Sequence, residues 1–405
     1  MGAGHGHGQA APASKRARLI LWGTLLPIAL ATVVGLLLLY PYGGVHVGVP
    51  QQYQPFVTGQ AIIVDGTVAA VSTETCPGSG TPGQASGQCQ KATVQVTSGP
   101  DAGKRVAVEV GAVTGTPLLS AGERITLART TAGGTVYSFN DFARGPALIV
   151  LALLFAVIVV AVARWKGFAA LVGIGVAVAI LVFFLIPALL AGRSPVLVGL
   201  VASSAILFAV LYLAHGRTAQ TSTALLGTLL GLFISAGLSA IAVAVTHISG
   251  LSGEDAATLQ VATGSVPVSG LLLCGFLVGA LGVLNDVTVT QASAVWTMAD
   301  TDPAASGRRL FALGMRIGRD HIASAVYTLV LAYAGSALPI MLLITISKQP
   351  LGLVLTGDQV AVELVRSLVG AIALVLSVPI TTALAAVVVR SRSTVASRRP
   401  GAHRG

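Results

Sequence analysis

Charge is scarce in this sequence of 405 residues. Asp, Glu, Lys and Arg together make up 9% of the chain, whereas hydrophobic residues make up 54%, and the mean hydropathy is +0.85. A soluble domain carries far more charge than this, so the composition excludes that class. It predicts a mainly α-helical, polytopic membrane protein whose principal partner is the lipid bilayer.

Acidic residues are scarcer than basic ones, with 14 Asp and Glu against 24 Lys and Arg. A basic chain can bind nucleic acid, but most Lys and Arg residues lie in short segments beside apolar runs, where membrane insertion explains them. We therefore expect no nucleic-acid partner. Cysteine is also scarce, and three cysteines are too few for a disulfide scaffold or a zinc ribbon.

Sequence signatures of catalysis are missing. The chain has no H-E-x-x-H, no GxxxxGK[ST] and no GxSxG. Asp286 and Asp320 are candidates for the carboxylate dyad of an intramembrane protease, but their contexts, LND and GRD, lack the expected glycine beside the aspartate. We predict no enzymatic activity and no cofactor, and the sequence specifies no metal.

Eight apolar segments have the length of about 20 residues that a hydrocarbon core requires. The predicted spans are residues 19–40, 145–163, 168–187, 195–214, 222–246, 267–286, 322–346 and 368–390. The predicted organisation is a disordered tail at 1–18, a membrane anchor at 19–40, a β domain at 43–143, a seven-span domain at 145–390 and a basic tail at 391–405.

The distribution of Lys and Arg predicts the orientation. With eight spans, fifteen basic residues of the tails and short loops fall on one side, and only Arg193, Lys348 and Arg366 fall on or near the other. The positive-inside rule then places both termini in the cytoplasm of a cell-membrane protein. A cleaved signal peptide is the alternative for the first span, but its 22-residue apolar run is long and no clear A-x-A site follows.

Residues 43–143 have a different pattern. Short alternating runs such as AIIVDGTVAAVS and KRVAVEVG, separated by turn sequences, predict a small antiparallel β domain outside the cytoplasm. Cys76 and Cys89 flank a Gly-rich loop there, on the side where disulfides persist. Their bond would stabilise the domain by about 3 kcal/mol; the alternative is two unpaired thiols.

The stretch GVLNDVTVTQASAVW, residues 282–296, places polar residues at the end of an apolar run. In a helix, Asp286, Thr290, Ser293 and Thr297 form one stripe, and a lipid-exposed strand would leave its backbone unpaired. Two interpretations remain open. Asp286 is either a solvated charge at a helix end or part of a stripe facing a cavity between helices, where a carboxylate needs a partner.

Arg319, Asp320 and His321 offer such a partner at the start of the seventh predicted span. Asp286 with Arg319 or His321 would be the functional pair, whereas Arg316 and Asp320, spaced i and i+4, predict a merely local ion pair. Two further spacings predict contacts. Glu363 and Arg366 are suited to pair, and the GxxxG at 227–231 permits close helix packing.

Three long stretches resemble the YibE/F family of multi-pass membrane proteins: GALGVLNDVTVTQASAVW, GRDHIASAVYTLVLAYAGSALP and ELVRSLVGAIALVLSVPITT. The resemblance covers most of the chain and implies an integral membrane protein of bacterial type. The family commonly has a second acidic residue where this chain has Asn285. The resemblance implies no settled activity, so function depends on the site itself.

Two functional hypotheses follow. The first is a transporter or permease for an ion or small solute that uses a polar site around Asp286. The predicted site residues are Asn285, Asp286, Thr290, Gln291, Arg319, Asp320 and His321. The second is a receptor or assembly platform that transports nothing and whose outer β domain binds a protein partner.

Overall fold

The computed structural model describes residues 15–44, 48–50, 53–75, 88–110, 118–131, 133–250, 268–336, 338–348 and 350–396. The chain forms two compact units. We call residues 1–48 with 159–405 the helical unit, and residues 49–158 the sheet unit.

The helices are numbered in chain order. Their bounds are α1 Lys15–Leu39, α2 Gln54–Val57, α3 Gly145–Ile180, α4 Ile186–Leu190, α5 Pro195–His215, α6 Ala219–Thr246, α7 Val268–Thr301, α8 Gly307–Ser336, α9 Leu338–Ser347, α10 Leu351–Leu355 and α11 Asp358–Ala396. A π-helical turn, Leu181–Leu185, joins α3 to α4.

Within the described residues, six helices are long and apolar enough to cross a membrane, by length and composition. They are Ala17–Leu39, Gly145–Leu190, Pro195–His215, Ala219–Thr246, Val268–Thr301 and Asp358–Ser391. A helical membrane protein is thereby supported, whereas the predicted count of eight spans and the predicted topology are not confirmed.

Two differences explain the lower count. The second and third predicted spans lie within one 46-residue helical stretch, Gly145–Leu190. The seventh, residues 322–346, is divided between the end of α8 and the ten-residue α9. Ten residues extend only about 15 Å, half of a hydrocarbon core, and the first half of α8 carries four arginines.

The long stretch is interrupted at Arg164, where the sequence predicts a loop between two spans. Arg164 has φ 55° and ψ −131°, which is not a helical conformation. A side chain on Gly167 would overlap the carbonyl oxygen of Val159. In a straight helix these residues would be about 12 Å apart along the axis, so the chain changes direction sharply at Arg164.

The core of the helical unit lies among α5, α6, α7 and α11. Thr218 begins α6, because its hydroxyl accepts a hydrogen bond from the Thr221 N–H at 3.0 Å. Apolar side chains then alternate with small ones on the buried faces. Fully buried examples are Leu211, Leu225, Leu229, Leu232, Leu277, Leu284 and Leu374.

The sheet unit contains five antiparallel strands in the order β3-β2-β1-β4-β5. Their bounds are β1 Ala61–Thr75, β2 Gln88–Val96, β3 Arg105–Val110, β4 Arg124–Thr130 and β5 Val136–Phe142. Alternate residues, such as Val64, Val94, Ile125 and Leu127, fill the core of the curled sheet. The small antiparallel sheet predicted between the first two spans is thus confirmed.

Several sequence predictions lie outside the described residues. Residues 1–14 of the predicted N-terminal tail and 397–405 of the basic tail are among them. Cys76 is another, so its disulfide with Cys89 stays a prediction. Cys89 itself is a buried residue at the start of β2, and Cys274 is a buried free thiol in α7.

Candidate functional site

Gln291 joins three helices through a buried amide. Its side chain on α7 is 2% exposed, and Nε2 donates hydrogen bonds to the carbonyl oxygen of Gly314 in α8 at 2.7 Å and to Thr382 Oγ1 in α11 at 2.8 Å. An amide enclosed by apolar helices is stable only when such partners are present. Gln291 therefore fixes the position of α8 and α11 around α7.

Two glycines of α8 make this contact possible. A side chain on Gly314 would clash with Thr382, and one on Gly318 would clash with Val378 and lie 3.2 Å from Gln291 Oε1. Because both positions lack a side chain, the backbone of α8 approaches the amide directly. Small residues of this kind permit close helix packing inside membranes.

A pair of threonine hydroxyls lies one helical turn from Gln291. Thr228 Oγ1 of α6 and Thr288 Oγ1 of α7 are 2.5 Å apart, and both side chains are fully buried. Each hydroxyl also reaches a carbonyl oxygen of its own helix, that of Ala224 at 2.8 Å and that of Asn285 at 3.2 Å. Two hydroxyl hydrogens serve three such contacts, so the direction of donation can reverse.

The hydroxyl of Thr381 adds an unsatisfied group to this cluster. Thr381 is fully buried against Gly227 of α6, and its Oγ1 has no hydrogen-bond partner among the described residues. We call these five buried, uncharged residues the polar core: Thr228, Thr288, Gln291, Thr381 and Thr382. Their groups offer hydroxyl and amide donors and acceptors without any fixed charge.

The polar stripe predicted on α7 lies on another face. Asp286, Thr290 and Thr297 are exposed and Ser293 is half-buried, so of the two interpretations left open the structure does not favour a stripe that faces a cavity between helices. The buried face instead carries Leu284, Thr288, Gln291 and Val295, with the same i, i+4, i+7, i+11 spacing. Asn285 lies between the two faces and is half-buried, and its Oδ1 has no hydrogen-bond partner among the residues that the structure describes.

Asp286 does contact a neighbouring helix. Its Oδ2 lies 3.8 Å from His321 Nε2 of α8, although 74% of the Asp286 side chain is exposed against 28% for His321. Arg319 and Asp320 are both exposed, and among the described residues neither forms an ion pair. Of the residues predicted for the site, the structure thus joins Asp286 to His321 and encloses Gln291 elsewhere.

The polar core could have been found from the sequence only in part. The sequence pattern indicates Gln291 as a site residue, but it assigns no site to Thr228, Thr288, Thr381 and Thr382. A threonine in an apolar helix usually bonds its own backbone, as Thr382 does to the Val378 carbonyl oxygen at 2.6 Å. The useful signal was the GxxxG of α6, since Gly227 and Gly231 both face α11 hydroxyls.

Charged groups form a separate cluster at the other end of these helices. Arg366 Nη1 of α11 lies 3.1 Å from Glu363 Oε1, which confirms the predicted local pair. The guanidinium also lies 5.3 Å from the ring centre of Phe276 in α7 and 6.0 Å from that of Tyr333 in α8. Arg366 therefore ties α11 to both helices by cation–π contact.

The sheet unit has its own polar cluster, centred on Asp101. Its carboxylate accepts hydrogen bonds from Lys104 Nζ, from Tyr137 Oη at 2.6 Å and from Arg129 Nε at 2.6 Å. These donors, Lys104 foremost, hold the pKa of the Asp101 carboxyl well below its usual range. A cavity of about 460 Å³ lies beside it, lined by Lys104, Val136 and Tyr137 among others.

Within the part of the chain that the structure describes, no three His, Cys, Asp or Glu side chains converge as a metal site would require. The polar core itself offers neutral hydrogen bonding by hydroxyl and amide groups.

Comparison with known proteins identifies the family. No curated protein and no solved structure matches the chain. The model of the YibE/F-like protein family matches residues 151–391. That segment is more than half of the chain and includes α5, α6, α7, α8 and α11 as far as residue 391, with the whole polar core. The chain therefore belongs to the YibE/F-like protein family.

Proposed function

We propose that this protein is a membrane transporter, without a catalytic step, in which a small solute or ion moves between α6, α7, α8 and α11 past the polar core. The observation that carries the proposal is the burial of the core. Five uncharged polar side chains are enclosed by apolar helices, and one of their hydroxyls has no hydrogen-bond partner in the part of the chain that the structure describes. Such groups are costly to bury without a partner, and polar side chains inside a helical bundle can line a solute pathway.

The arrangement suits passage of a solute. A hydroxyl pair that can donate in either direction, next to an amide, can replace water molecules around a polar solute step by step. The glycines of α8 that face Gln291 leave no side chain to block a shift of that helix. In the structure the core is fully enclosed, so the proposal requires an opening movement during transport.

Reconstitution of the full-length protein into liposomes tests this proposal. Fluxes of H⁺, Na⁺, K⁺, Cl⁻ and inorganic phosphate are measured separately, and the probes that the wild type moves are carried forward. Gln291→Leu removes the amide and is expected to lower that flux at least about tenfold, a loss of about 1.4 kcal/mol in transition-state stabilisation. Gln291→Asn keeps an amide and should retain part of the flux.

Gln359→Leu is the matched control, because Gln359 is exposed near the start of α11 and undergoes the same chemical change. Its flux should equal that of the wild type. Equal fluxes in the two Leu variants, with both proteins folded and monodisperse, would remove Gln291 from the pathway and end the proposal.

The cavity beside Asp101 favours one alternative, a receptor or assembly platform whose sheet unit binds a protein partner. Replacing residues 50–140 by a flexible linker separates the two functions. Retained flux supports transport through the helices. Absence of flux in the wild type, together with a bound protein partner that is lost on this replacement, supports the platform.

A further inference from the structure

A small cavity in the helical unit is lined by several polar side chains, which include a lysine and no acidic residue. Its volume is about 180 Å³, and it lies where α3, α5, α6 and α7 meet. Its polar lining consists of Lys166, His215, Thr218, Gln220 and Thr221. No carboxylate lines it, and among the described residues Lys166 forms no ion pair.

These side chains are suited to an anion. The Lys166 ammonium supplies positive charge and up to three donors, and Gln220 supplies amide N–H groups. The Thr218 and Thr221 hydroxyls lie 2.8 Å apart, and Thr221 Oγ1 also reaches the His215 carbonyl oxygen at 3.2 Å, so an anion would take a hydroxyl hydrogen from one of these contacts. A phosphate group presents several acceptor oxygens to such a set, and hydrogen bonds from an ammonium to an anion are strong ones. A cation would meet the Lys166 charge with no carboxylate to offset it.

The cavity adjoins the polar core. Ala224 of α6 and Val289 of α7 form its inner wall. The carbonyl oxygen of Ala224 accepts the hydrogen bond of Thr228, and Val289 follows Thr288 directly in the chain. One helical turn, about 5.4 Å, therefore separates this wall from the hydroxyl pair.

We infer that this cavity binds a phosphate group and forms an entrance to the polar core, at the end of the helical unit predicted to face the cytoplasm. The role as an entrance rests on the proposed function, whereas phosphate binding depends only on the cavity. The phosphate group belongs either to a free anion or to a lipid headgroup, which share the same recognition chemistry.

Thermal unfolding of the full-length protein in dodecyl maltoside, which carries no phosphate and no charge, provides the test. Sodium phosphate should raise the Tm saturably, because a ligand that binds only the folded state stabilises it by mass action. Sodium chloride at equal ionic strength is the reference. The half-saturating phosphate concentration should rise at least about tenfold in Lys166→Gln.

Two further variants separate specific binding from general charge. Gln220→Leu changes no charge but removes an amide donor, and it should also weaken the phosphate effect. Lys348→Gln removes one positive charge outside the cavity and should bind phosphate like the wild type. An equal response of Lys166→Gln and Lys348→Gln, or an equal effect of chloride, would overturn the inference.

Titration with dihexanoylphosphatidylglycerol identifies the source. Tighter saturation by this lipid than by phosphate assigns a headgroup, and tighter saturation by phosphate assigns a free anion; the absence of saturation by both overturns the site. Flux measurements distinguish this failure from that of the proposed function. If phosphate binding requires Lys166 but the flux does not require Gln291, the phosphate site is supported and the proposed transport pathway is rejected.

Discussion

Gln291 carries an uncharged amide enclosed by three helices, and nearby hydrogen bonds must offset the free-energy cost of removing that amide from water. Two hydrogen bonds, to the Gly314 carbonyl and to Thr382, compensate the desolvation of its N–H groups. Each is worth about 1 kcal/mol net. Thr381 has no such compensation among the described residues. At the residue scale, the polar core combines hydrogen-bonded groups that hold the helices together with one hydroxyl that has no partner among the described residues.

The Asp101 carboxylate should make the stability of the sheet unit depend on pH. Its pKa is lowered in the folded state by Lys104, Tyr137 and Arg129, so the ionised carboxylate stabilises the sheet unit. For a lowered pKa this contribution is fully present above the unfolded value of about 4 and is lost as the pH falls below it. The protection of β4 and β5 amides in the full-length protein, taken relative to the intrinsic exchange rate at each pH, should therefore fall below about pH 4.

Asp101→Asn should remove most of this pH dependence and weaken protection of β4 and β5 at neutral pH. Asp65→Asn is the control, since the Asp65 side chain is exposed on β1 and no described ion pair involves it. An unchanged exchange rate in Asp101→Asn at pH 7 would show that the network contributes nothing to the stability of the unit.

Individual residues also show where sequence reasoning stops. The ion pair of Glu363 with Arg366 followed from a spacing of three in one helix, because both residues share a helical face whatever surrounds it. The face of α7 that is buried did not follow. The charge of Asp286 favours its face in a sequence-based prediction, yet the neighbouring helices cover Thr288 and Gln291 instead. Those helices come from distant parts of the chain, so the sequence of α7 alone does not indicate which face they bury.

Helices α6 and α11 pack through matched stripes of small residues. On α6, Gly227, Gly231, Ser235 and Ser239 are spaced four apart. On α11, a second stripe of the same spacing is fully buried: Ala373, Ser377, Thr381 and Ala385. Side chains at Gly227 and Gly231 would overlap Thr381 Oγ1 and Ser377 Oγ. Close approach of two small-residue faces holds these helices together without a hydrophobic driving force.

Gly231→Ala tests this packing. The added methyl group overlaps Ser377, so we expect a loss of about 1–3 kcal/mol, measured as a lower Tm in detergent. The double variant Gly231→Ala with Ser377→Ala removes the overlapping hydroxyl and should recover part of the loss. A non-additive recovery of this kind is the signature of direct contact.

Gly237→Ala, on the same helix, provides the matched control. A side chain there meets nothing within 4 Å. Because Ala is favoured over Gly in a helix by up to about 1 kcal/mol, this variant should be as stable as the wild type or more so. Equal destabilisation by the two Ala variants would argue against the packing described for α6 and α11.

At the scale of elements, hydrophobic periodicity predicts individual strands and helices better than it predicts the contacts between them. Alternating residues predicted the antiparallel sheet, since every strand buries one face, and the run at 19–40 predicted α1. The GxxxG on α6 predicts close helix packing, but the stripe on α11 that packs against it contains no glycine, so its sequence does not indicate a contact surface. The break at Arg164 coincides with a predicted loop, although no proline or glycine occupies that position.

The whole molecule has the character of a membrane protein with an added sheet unit. Six helices suffice in length and composition to cross a bilayer, and eight spans remain the prediction of the sequence. The two counts differ at the break at Arg164 and at the division of the seventh predicted span between α8 and α9. The length of an apolar run alone does not show where the chain turns. The family match includes the helices of the polar core and excludes the strands.

This division assigns the core of the function to the helical unit. The family segment, residues 151–391, contains the polar core, the cavity at Lys166 and the Arg366 cluster. The Asp101 network lies outside it. The groups that the family match includes are therefore those of the helical unit.

Water access to Thr288 tests the central claim most directly, because a solute pathway must be hydrated at some stage of transport. In a Cys274→Ala background, Thr288→Cys is exposed to a small, membrane-impermeant thiosulfonate, and the rate of modification in membranes is measured by mass spectrometry. Ala292→Cys, equally buried on α7, serves as reference. We expect modification of Thr288→Cys at a rate at least about tenfold above that of Ala292→Cys, whereas equal rates, or no reaction at either position, would contradict a pathway through the polar core.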